Sequence, residues 1–188
     1  ILAFKKYRYD LGIFGSEWVG FKNFEFFFVS QYAVRVIRNT VLYEISYMLL
    51  TTFFALLFAL MLYEISRRAV KVYQTTLFLP HFLSWVVVYY IVFTLLDINH
   101  GLLNKILAAF GLPEHNWYME AEPWPFILNA VALWKRIGVS TLIYYAGIVS
   151  INPEYYDAAK IDGATRPQMA RLITIPMIAP LISILLIL

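Results

Sequence analysis

The amino-acid sequence predicts an all-α protein, a polytopic transmembrane helical bundle, on three observations. Of its 188 residues, 61% are apolar and only 14% are charged, whereas soluble domains carry about 25% charged and about 45–50% apolar residues. The mean hydropathy is +0.67. Three stretches also reach the roughly 20 mostly apolar residues that a helix needs to cross a membrane. A water-soluble globule does not fit this composition, and disorder is excluded because Phe, Tyr, Leu and Ile are abundant.

The membrane spans follow from where the apolar residues lie. Complete spans are predicted over residues 39–63, 75–96 and 125–150. The first contains one charged residue, Glu44, and the third is interrupted by Lys135 and Arg136. A fourth apolar stretch begins near Ile175 and ends with the sequence, which leaves it short of the ~30 Å hydrocarbon layer. We therefore expect a fragment with about three complete spans and the start of a fourth.

The other segments are too polar to cross the hydrocarbon layer. Residues 1–38 precede the transmembrane domain, which is predicted over residues 39–188. Phe21, Phe24 and Phe28 recur in the N-terminal segment at helical spacing, so we expect this segment to lie in the membrane interface. The connections between the spans are predicted over residues 64–74, 97–124 and 151–174.

Charge and motif patterns exclude several functions. The net charge is only +3, and no basic tract supports nucleic-acid binding. The sequence has no cysteine, so disulfides, thiolate metal sites and cysteine nucleophiles are excluded. His81, His100 and His115 form no H-E-x-x-H pair, and no G-x-S-x-G or Walker A string is present. We expect no metal, no cofactor and no enzymatic activity, so any ATP hydrolysis belongs to a partner.

Residues 152–176 are predicted to form two short helices that meet at a glycine. The capping residues are Asn152, Pro153 and Glu154 for the first helix, and Thr165 and Gln168 for the second. Gly163 stands where the first helix needs a residue in the left-handed conformation. Pro176 follows as a kink into the next span. These signals alone also fit a plain surface loop between two spans.

The spacing of residues in this segment is more specific than its caps. The string runs Asp157-Ala158-Ala159, three residues, Gly163, nine residues, Ile173, one residue, Ile175-Pro176. It resembles the EAA motif of permease subunits in binding-protein-dependent ABC importers. Asp157 stands where Glu is usual in that motif and Ile175 where Leu is usual, and these changes preserve charge and apolarity.

Further strings narrow the resemblance to sugar permeases of the polysaccharide and oligosaccharide branch. They are W-V-G-F-K-N-F at 18–24, R-N-T at 38–40 and Q-T-T-L-F-L-P-H-F-L-S-W at 74–85. The resemblance covers nearly the whole chain and implies that a first span and a C-terminal part are missing. It implies an ABC transporter permease in the plasma membrane of a prokaryote, which moves a carbohydrate inward.

The same resemblance implies partners and a coupling site. The partners would be ATPase subunits, a second permease subunit, an extracytoplasmic solute-binding protein, the sugar substrate and membrane lipid. Residues 152–176 would form the cytoplasmic segment that rests in a groove of an ATPase subunit. The implied ATPase-coupling residues are Tyr156, Asp157, Ala158, Ala159, Asp162, Gly163 and Ala164. Asp157 would make a polar contact, and the two alanines after it would permit close approach.

The sidedness of the chain follows from the resemblance and not from charge. Lys and Arg number six in the N-terminal segment and one in 97–124, against three in 64–74 and three in 151–174. This count is almost a tie under the positive-inside rule. The resemblance places 64–74 inside, with 97–124 and residues 1–38 outside. The acidic residues of the outer loop, Glu114, Glu120 and Glu122, are candidate contacts for the solute-binding protein.

Aromatic residues in the second span suggest a substrate path. His81, Trp85 and Tyr89 follow Pro80, a residue that can kink a transmembrane helix toward a cavity. The rings of Trp85 and Tyr89 could stack on the face of a sugar. A packed bundle helix is the alternative, since aromatic residues at helical spacing are common there.

Two cations in the third span are the other candidates for a substrate path. Lys135 and Arg136 each add about 2.5–3.5 kcal/mol to membrane insertion, so they must face protein or water. They could donate hydrogen bonds to sugar hydroxyls. Alternatively, they form a structural ion pair with a carboxylate such as Glu44, or a helix break near Gly138 lets them reach the interface. Buried charge also fits an ion-coupled secondary transporter, and a membrane-embedded enzyme is a third hypothesis.

Overall fold

The computed structural model describes residues 1–187 and confirms the all-α class. Only two strands, of two residues each, occur in this described part of the chain. Three helices are long and apolar enough to cross a membrane, and a bent helix pair makes a fourth span if it is counted as one. The chain divides into two compact units, Ile1–Ile45 and Ser46–Leu188. Leu188, the last residue of the predicted transmembrane domain, lies outside the described residues.

The elements are named in chain order. The N-terminal elements are β1 (Lys5–Lys6), α1 (Gly12–Gly15), β2 (Glu17–Trp18) and α2 (Lys22–Val29). The helices that follow are α3 (Gln31–Glu64), α4 (Arg67–Phe78), α5 (Trp85–Leu95), α6 (Leu102–Ala109), α7 (Trp124–Val149), α8 (Pro153–Ile161), α9 (Arg166–Met169) and α10 (Ile175–Ile187).

A small aromatic cluster organises the N-terminal unit. Strands β1 and β2 pair antiparallel. The ring of Phe4 stacks on Trp18 with centroids 5.7 Å apart and meets the edge of Phe21 at 5.3 Å. The side-chain amide of Asn23 donates to the carbonyl of Ala3 at 3.0 Å. The strand pair was not predicted, because a two-residue strand is too short to show an alternating pattern.

The first span is longer than the predicted 39–63. Helix α3 has 34 residues, which at ~1.5 Å per residue exceeds the ~30 Å hydrocarbon layer. Ala55 and Ala59, one turn apart on α3, are fully buried in the second unit. Small side chains at such positions let neighbouring helices approach closely.

The second span is broken, whereas the sequence analysis predicted one continuous stretch over 75–96. Helices α4 and α5 meet at a bend of 98°. A 3-10 turn, Leu79–Phe82, follows α4, and Leu83 and Ser84 are extended with ψ of 135° and 153°. Pro80 lies in the 3-10 turn and contributes no N–H to an α-helical ladder. The kink expected after Pro80 is therefore a full interruption of the helix.

The predicted link 64–74 is helical over most of its length, because α4 begins at Arg67. The side chain of Ser66 accepts a hydrogen bond from the N–H of Ala69 at 3.4 Å, which makes Ser66 the N-cap of α4. Hydrogen bonding by this local cap starts the helix directly after α3. Only Ile65 and Ser66 separate α3 from α4.

The third and fourth spans pack against each other in the second unit. Helix α7 agrees with the predicted 125–150 to within a residue at each end. Helices α9 and α10, joined by a π-turn, form a continuous helix over Arg166–Ile187, which begins well before the predicted Ile175. Tyr144, Ile148 and Ile178 are buried among the core residues that hold these helices together.

Asn104 organises the long connection 97–124, which the sequence analysis treated as a polar loop. Asn104 is only 4% exposed and lies on α6. Its amide nitrogen donates to the carbonyls of Ile98 and His115, both at 3.0 Å. Its oxygen accepts from the His115 N–H at 3.2 Å and from the Trp117 indole at 3.0 Å. One side chain therefore fixes three separate parts of this connection.

Candidate functional site

Helix α8 begins and ends at the residues that the sequence analysis predicts. The side-chain oxygen of Asn152 accepts the N–H of Glu154 at 3.1 Å. At the other end, Gly163 has a φ of +78°, a left-handed conformation that glycine adopts without steric cost. The N–H of Ala164 donates to the carbonyl of Ala159 at 2.9 Å, which completes a Schellman motif. Both ends of this helix are thus hydrogen-bonded within the segment.

A second capped helix follows Gly163 directly. The N–H of Thr165 donates to the side-chain oxygen of Gln168 at 2.7 Å, as expected for a capping box. Residues Ala170–Thr174 then form a π-turn. Pro176 follows this turn and has no N–H for the carbonyl of Leu172, so the wider turn lies where the α-helical ladder is interrupted. The feature predicted as a kink at Pro176 is a π-turn inside a continuous helix.

Tyr156 connects α8 to two other helices. It is only 6% exposed, and its hydroxyl is 2.9 Å from the hydroxyl of Thr174, which is 2% exposed. The ring of Tyr156 packs on that of Tyr63 at the end of α3, with centroids 5.6 Å apart. Thr174 was missed by the sequence analysis because nothing in the local pattern distinguishes it from other small residues. Tyr156 therefore anchors α8 to the first span and to the span that follows it.

An ion pair adds a second connection at the same end of these helices. Arg166, the first residue of α9, pairs with Glu64, the last residue of α3. A cavity of about 370 Å³ lies beside this pair and is lined by residues of α3, α8 and α9. Neither charged residue was predicted as functional, since their pairing joins positions that are about 100 residues apart. The segment is attached to α3 by this ion pair and the contact of the two tyrosine rings.

The opposite side of the segment is exposed. The predicted coupling residues that are exposed are Asp157, Ala158, Asp162 and Gly163, while Ala159 and Ala164 are half-buried. Asp157 pairs with Lys160 at 2.9 Å. Tyr155 and Ile161 are 53% and 87% exposed, and with Ala158 between them they follow the three-residue spacing of one helix face. Ile161 was not predicted as a coupling residue, although its position out of phase with buried Tyr156 indicates that it is exposed.

A second cluster forms where the second span is broken. Lys135 on α7 is 7% exposed, and its amino group donates to the carbonyls of His81 and Leu83 at 3.0 Å and 2.6 Å. The same amino group lies 5.2 Å from the centroid of the Trp85 ring. Two backbone carbonyls and an aromatic face, and not a carboxylate, therefore surround this lysine. Of the predicted path residues, His81, Trp85 and Lys135 are brought together here.

The other two predicted path residues lie near this cluster without joining it. Tyr89 is 57% exposed and packs against Phe93 with ring centroids 6.0 Å apart. Arg136 is exposed, and its guanidinium lies 6.0 Å from the centroid of the Tyr47 ring. Adjacent helix positions point about 100° apart, which is why Arg136 does not follow Lys135 into the break. Within residues 1–187, no group of three or more His, Asp or Glu side chains could hold a metal ion.

The fold is that of a polytopic helical membrane chain with a capped, exposed helix between two spans, and comparison with known families gives its class, the membrane component of a transport system. The chain belongs to the family of binding-protein-dependent transport system inner membrane components, which it matches over residues 32–188. The predicted resemblance and the predicted membrane location are thereby confirmed.

Individual relatives agree with this family. The chain is 38% identical to the polygalacturonan/rhamnogalacturonan transport system permease protein YteP of Bacillus subtilis, over all of this chain and 59% of that protein. It is also 38% identical to a chain of a bacterial ABC transporter involved in the import of the acidic polysaccharide alginate. That structure has a TM-score of 0.86 and aligns with 90% of this chain and 59% of its own.

A second solved structure shows the bacterial alginate ABC transporter in complex with an alginate pentasaccharide-bound periplasmic protein. It aligns with a TM-score of 0.84 at 37% identity, over 89% of this chain and 58% of the other. This chain therefore spans somewhat more than half the length of the relatives that it matches.

Proposed function

We propose that this chain belongs to a permease subunit of an ABC importer, which moves a carbohydrate inward while separate ATPase subunits hydrolyse ATP. The observation that carries the proposal is the construction of the 152–176 segment. Helix α8 is capped at both ends and presents an exposed face, while Tyr156 on its other face is hydrogen-bonded to a span. Membership in a transport family supports the same function.

The segment is suited to pass motion from an ATPase into the membrane. An ATPase groove would receive the face of α8 that carries Ala158, Ile161 and Asp162, where an exposed isoleucine supplies apolar contact. A movement of α8 would pull on α10 through Tyr156 and Thr174. Because α8 and α9 are individually capped, the segment would move as a rigid body and not deform locally.

The proposed topology places the 152–176 segment in the cytoplasm. Residues 1–38 and the connection 97–124 would then be extracytoplasmic, and a second permease subunit would complete the bundle around the transport path. The solute-binding protein would dock on the outer side. The relative crystallised with a substrate-loaded periplasmic protein supports such a partner for this chain.

We infer an oligosaccharide as the substrate, and an acidic one is favoured by chemistry within the third span. Two of the relatives are named for polygalacturonan and rhamnogalacturonan, and for alginate. Arg136 is exposed within α7, and a guanidinium pairs with a carboxylate through two parallel hydrogen bonds. Trp85 and Tyr89 are exposed enough to stack on a sugar ring. We propose Arg136 as the residue that selects a sugar carboxylate along this path.

Uptake by vesicles that contain the full-length permease and its partners tests the proposal. Gly163→Ala forces a residue with a Cβ into φ +78°, which costs about 1 kcal/mol, and should reduce ATP-driven uptake and ATPase attachment while the subunit still inserts. Gly163→Asn is the matched control, because Asn tolerates the left-handed conformation better. Asp157→Ala should weaken attachment without disturbing the fold. Wild-type uptake in both Gly163→Ala and Asp157→Ala would contradict the proposal.

An ion-coupled secondary transporter remains testable in the same vesicles. This alternative rests on the charged residues within the spans. However, backbone carbonyls accept hydrogen bonds from Lys135, and the family is defined by binding-protein-dependent transport. A secondary transporter would respond to an imposed ion gradient in the absence of ATP. The ABC importer requires ATP and should ignore that gradient.

A further inference from the structure

The break between α4 and α5 interrupts backbone hydrogen bonding in a bent helix pair that is apolar enough to count as one membrane span. In a continuous α-helix, the carbonyl of Leu83 would accept the N–H of Val87, and the carbonyl of His81 would accept the N–H of Trp85. Leu83 and Ser84 are extended, so both carbonyls lose these partners. Non-helical backbone at membrane depth is tolerated only where protein or water satisfies its polar groups.

Side chains take over the hydrogen bonds that the break removes. The N–H of Val87 donates to the hydroxyl of Ser84 at 3.2 Å. The carbonyl of Leu83 accepts from the amino group of Lys135 at 2.6 Å, and the carbonyl of His81 accepts from the same group at 3.0 Å. The N–H of Val87 therefore has the Ser84 hydroxyl as its acceptor in place of the Leu83 carbonyl. The carbonyl of Leu83 has the Lys135 amino group as its donor in place of the Val87 N–H.

The neighbourhood of Lys135 is shaped to bring it to these carbonyls. Gly138, one turn further along α7, lies so close to α4 that a Cβ there would collide with the carbonyl oxygen of Leu77 and come within 2.8 Å of the Cα of Phe78. This close approach brings the lysine side chain to the end of α4. The Trp85 ring, 5.2 Å from the amino group, adds a cation–π contact from the first residue of α5.

We propose that Lys135 is a positioning residue that holds the second span in its broken form and thereby sets the direction of α5. A lysine ammonium has three donors and no acceptor, which suits a site made of carbonyl oxygens. Its burial of more than nine-tenths leaves it little access to bulk water. Helix α5 carries Trp85 and Tyr89, so the direction that Lys135 imposes also decides where these two rings lie. The inference does not depend on the proposed transport function.

A distance measurement across the break tests this inference. Spin labels are attached at Val72 on α4 and Tyr90 on α5, which are 65% and 62% exposed, in the full-length permease with no other cysteine, in lipid nanodiscs. A continuous helix would separate these positions by about 27 Å along its axis, and the 98° bend brings them closer. We expect the wild type to give the shorter distance, measured by pulsed electron paramagnetic resonance.

The variants separate the role of Lys135 from a general effect of lost charge. Lys135→Met keeps the length of the side chain and removes the donors, so the distance should lengthen or its distribution should broaden toward the continuous helix. Lys135→Arg keeps donors and should retain most of the short population. Lys105→Met, the same change at an exposed position on α6, should leave the distribution unchanged.

A second variant covers the case in which Lys135→Met does not assemble. Lys135→Gln has a shorter side chain that donates from one nitrogen, so it should shift the distribution in the same direction by a smaller amount. A wild-type distance in Lys135→Met, or in Lys135→Gln where the methionine variant fails to assemble, overturns the inference. A shift that Lys105→Met reproduces also overturns it.

Discussion

The hydroxyl of Tyr156 is predicted to contribute both to stability and to coupling, through its hydrogen bond with Thr174. Tyr156→Phe keeps the ring against Tyr63 and removes the hydrogen bond to Thr174. We expect a loss of about 1 kcal/mol in stability, the usual net contribution of one hydrogen bond, and a lower ratio of sugar imported to ATP hydrolysed. Thermal unfolding of the purified complex and paired uptake and ATPase assays measure these effects. Tyr9→Phe, which removes a hydroxyl from a side chain that is 93% exposed and lies outside this segment, is the matched control, and equal effects of the two variants would contradict the prediction.

Asp97, at the start of the long connection 97–124, gives a prediction about how local stability depends on pH. Its carboxylate accepts the backbone N–H groups of His100 at 2.7 Å and Asn99 at 3.0 Å. The bond from His100 is the main cause that lowers the pKa of Asp97 below its ordinary value of 3.8. Because the pKa of Asp97 is lowered in the folded state, its ionised carboxylate stabilises the folded state above pH 3.8. This stabilisation is lost as the pH falls through the lowered pKa.

Hydrogen exchange of the His100 amide as a function of pH measures this effect of Asp97. Protection should decrease only at a pH below the ordinary titration of an aspartate. Asp97→Asn removes the titration and should flatten the profile. A profile in the wild type that falls at or above the ordinary pKa of an aspartate would contradict the prediction.

The contact between α4 and α7 depends on one missing side chain. Gly138→Ala would drive a Cβ into the backbone of Leu77 and Phe78, and a backbone cannot rotate aside. We expect a destabilisation of about 1–3 kcal/mol, typical of overpacking, together with a change at the break in the second span. Gly147→Ala on the same helix is the control, because its Cβ would meet the ends of side chains, Leu181 at 2.7 Å and Ile178 at 3.5 Å, and no backbone atom among its nearest neighbours. Thermal unfolding of the two variants in one lipid should differ, and equal stabilities would refute the argument.

Helix boundaries show which elements local chemistry determines. The caps of α8 and α9 were predictable, since Asn152, Gly163 and Thr165 act on partners within five residues. The N-cap of α4 at Ser66 was not predicted, because the cationic residues that follow it were interpreted as a link between spans. The break after Pro80 was only partly predictable, because a proline indicates a possible kink and not a 98° bend.

The proposed importer gives a prediction about electrostatic docking on its proposed outer side. Glu114, Glu120 and Glu122 are exposed on the connection 97–124, which Asn104 holds in place. Changing all three to Lys should slow association with the solute-binding protein and reverse the dependence of that rate on salt, because charges at the edge of an interface act mainly on association. Surface plasmon resonance at two salt concentrations measures the rate.

The control for this charge reversal is Glu154→Lys, which changes the same charge in the segment proposed to be cytoplasmic. It should leave association with the solute-binding protein unaltered. Wild-type association kinetics in the triple variant would remove the acidic connection from the docking surface. The assignment of the chain to its transport family would be untouched by that result.

The amino-acid sequence by itself determined the membrane class, the spans of α3 and α7, and the capped helices on either side of Gly163. It could do so because hydropathy, capping and glycine conformation act over one or a few turns. Only the tertiary structure decided what Lys135, Tyr156 and Glu64 contact. Their partners lie 52 and 54 residues away for Lys135 and 18 residues away for Tyr156, and about 100 residues away for Glu64. Burial in a bundle makes a partner favourable for a charged or hydroxyl group, but which partner it meets depends on how the helices pack, and no local pattern encodes that choice.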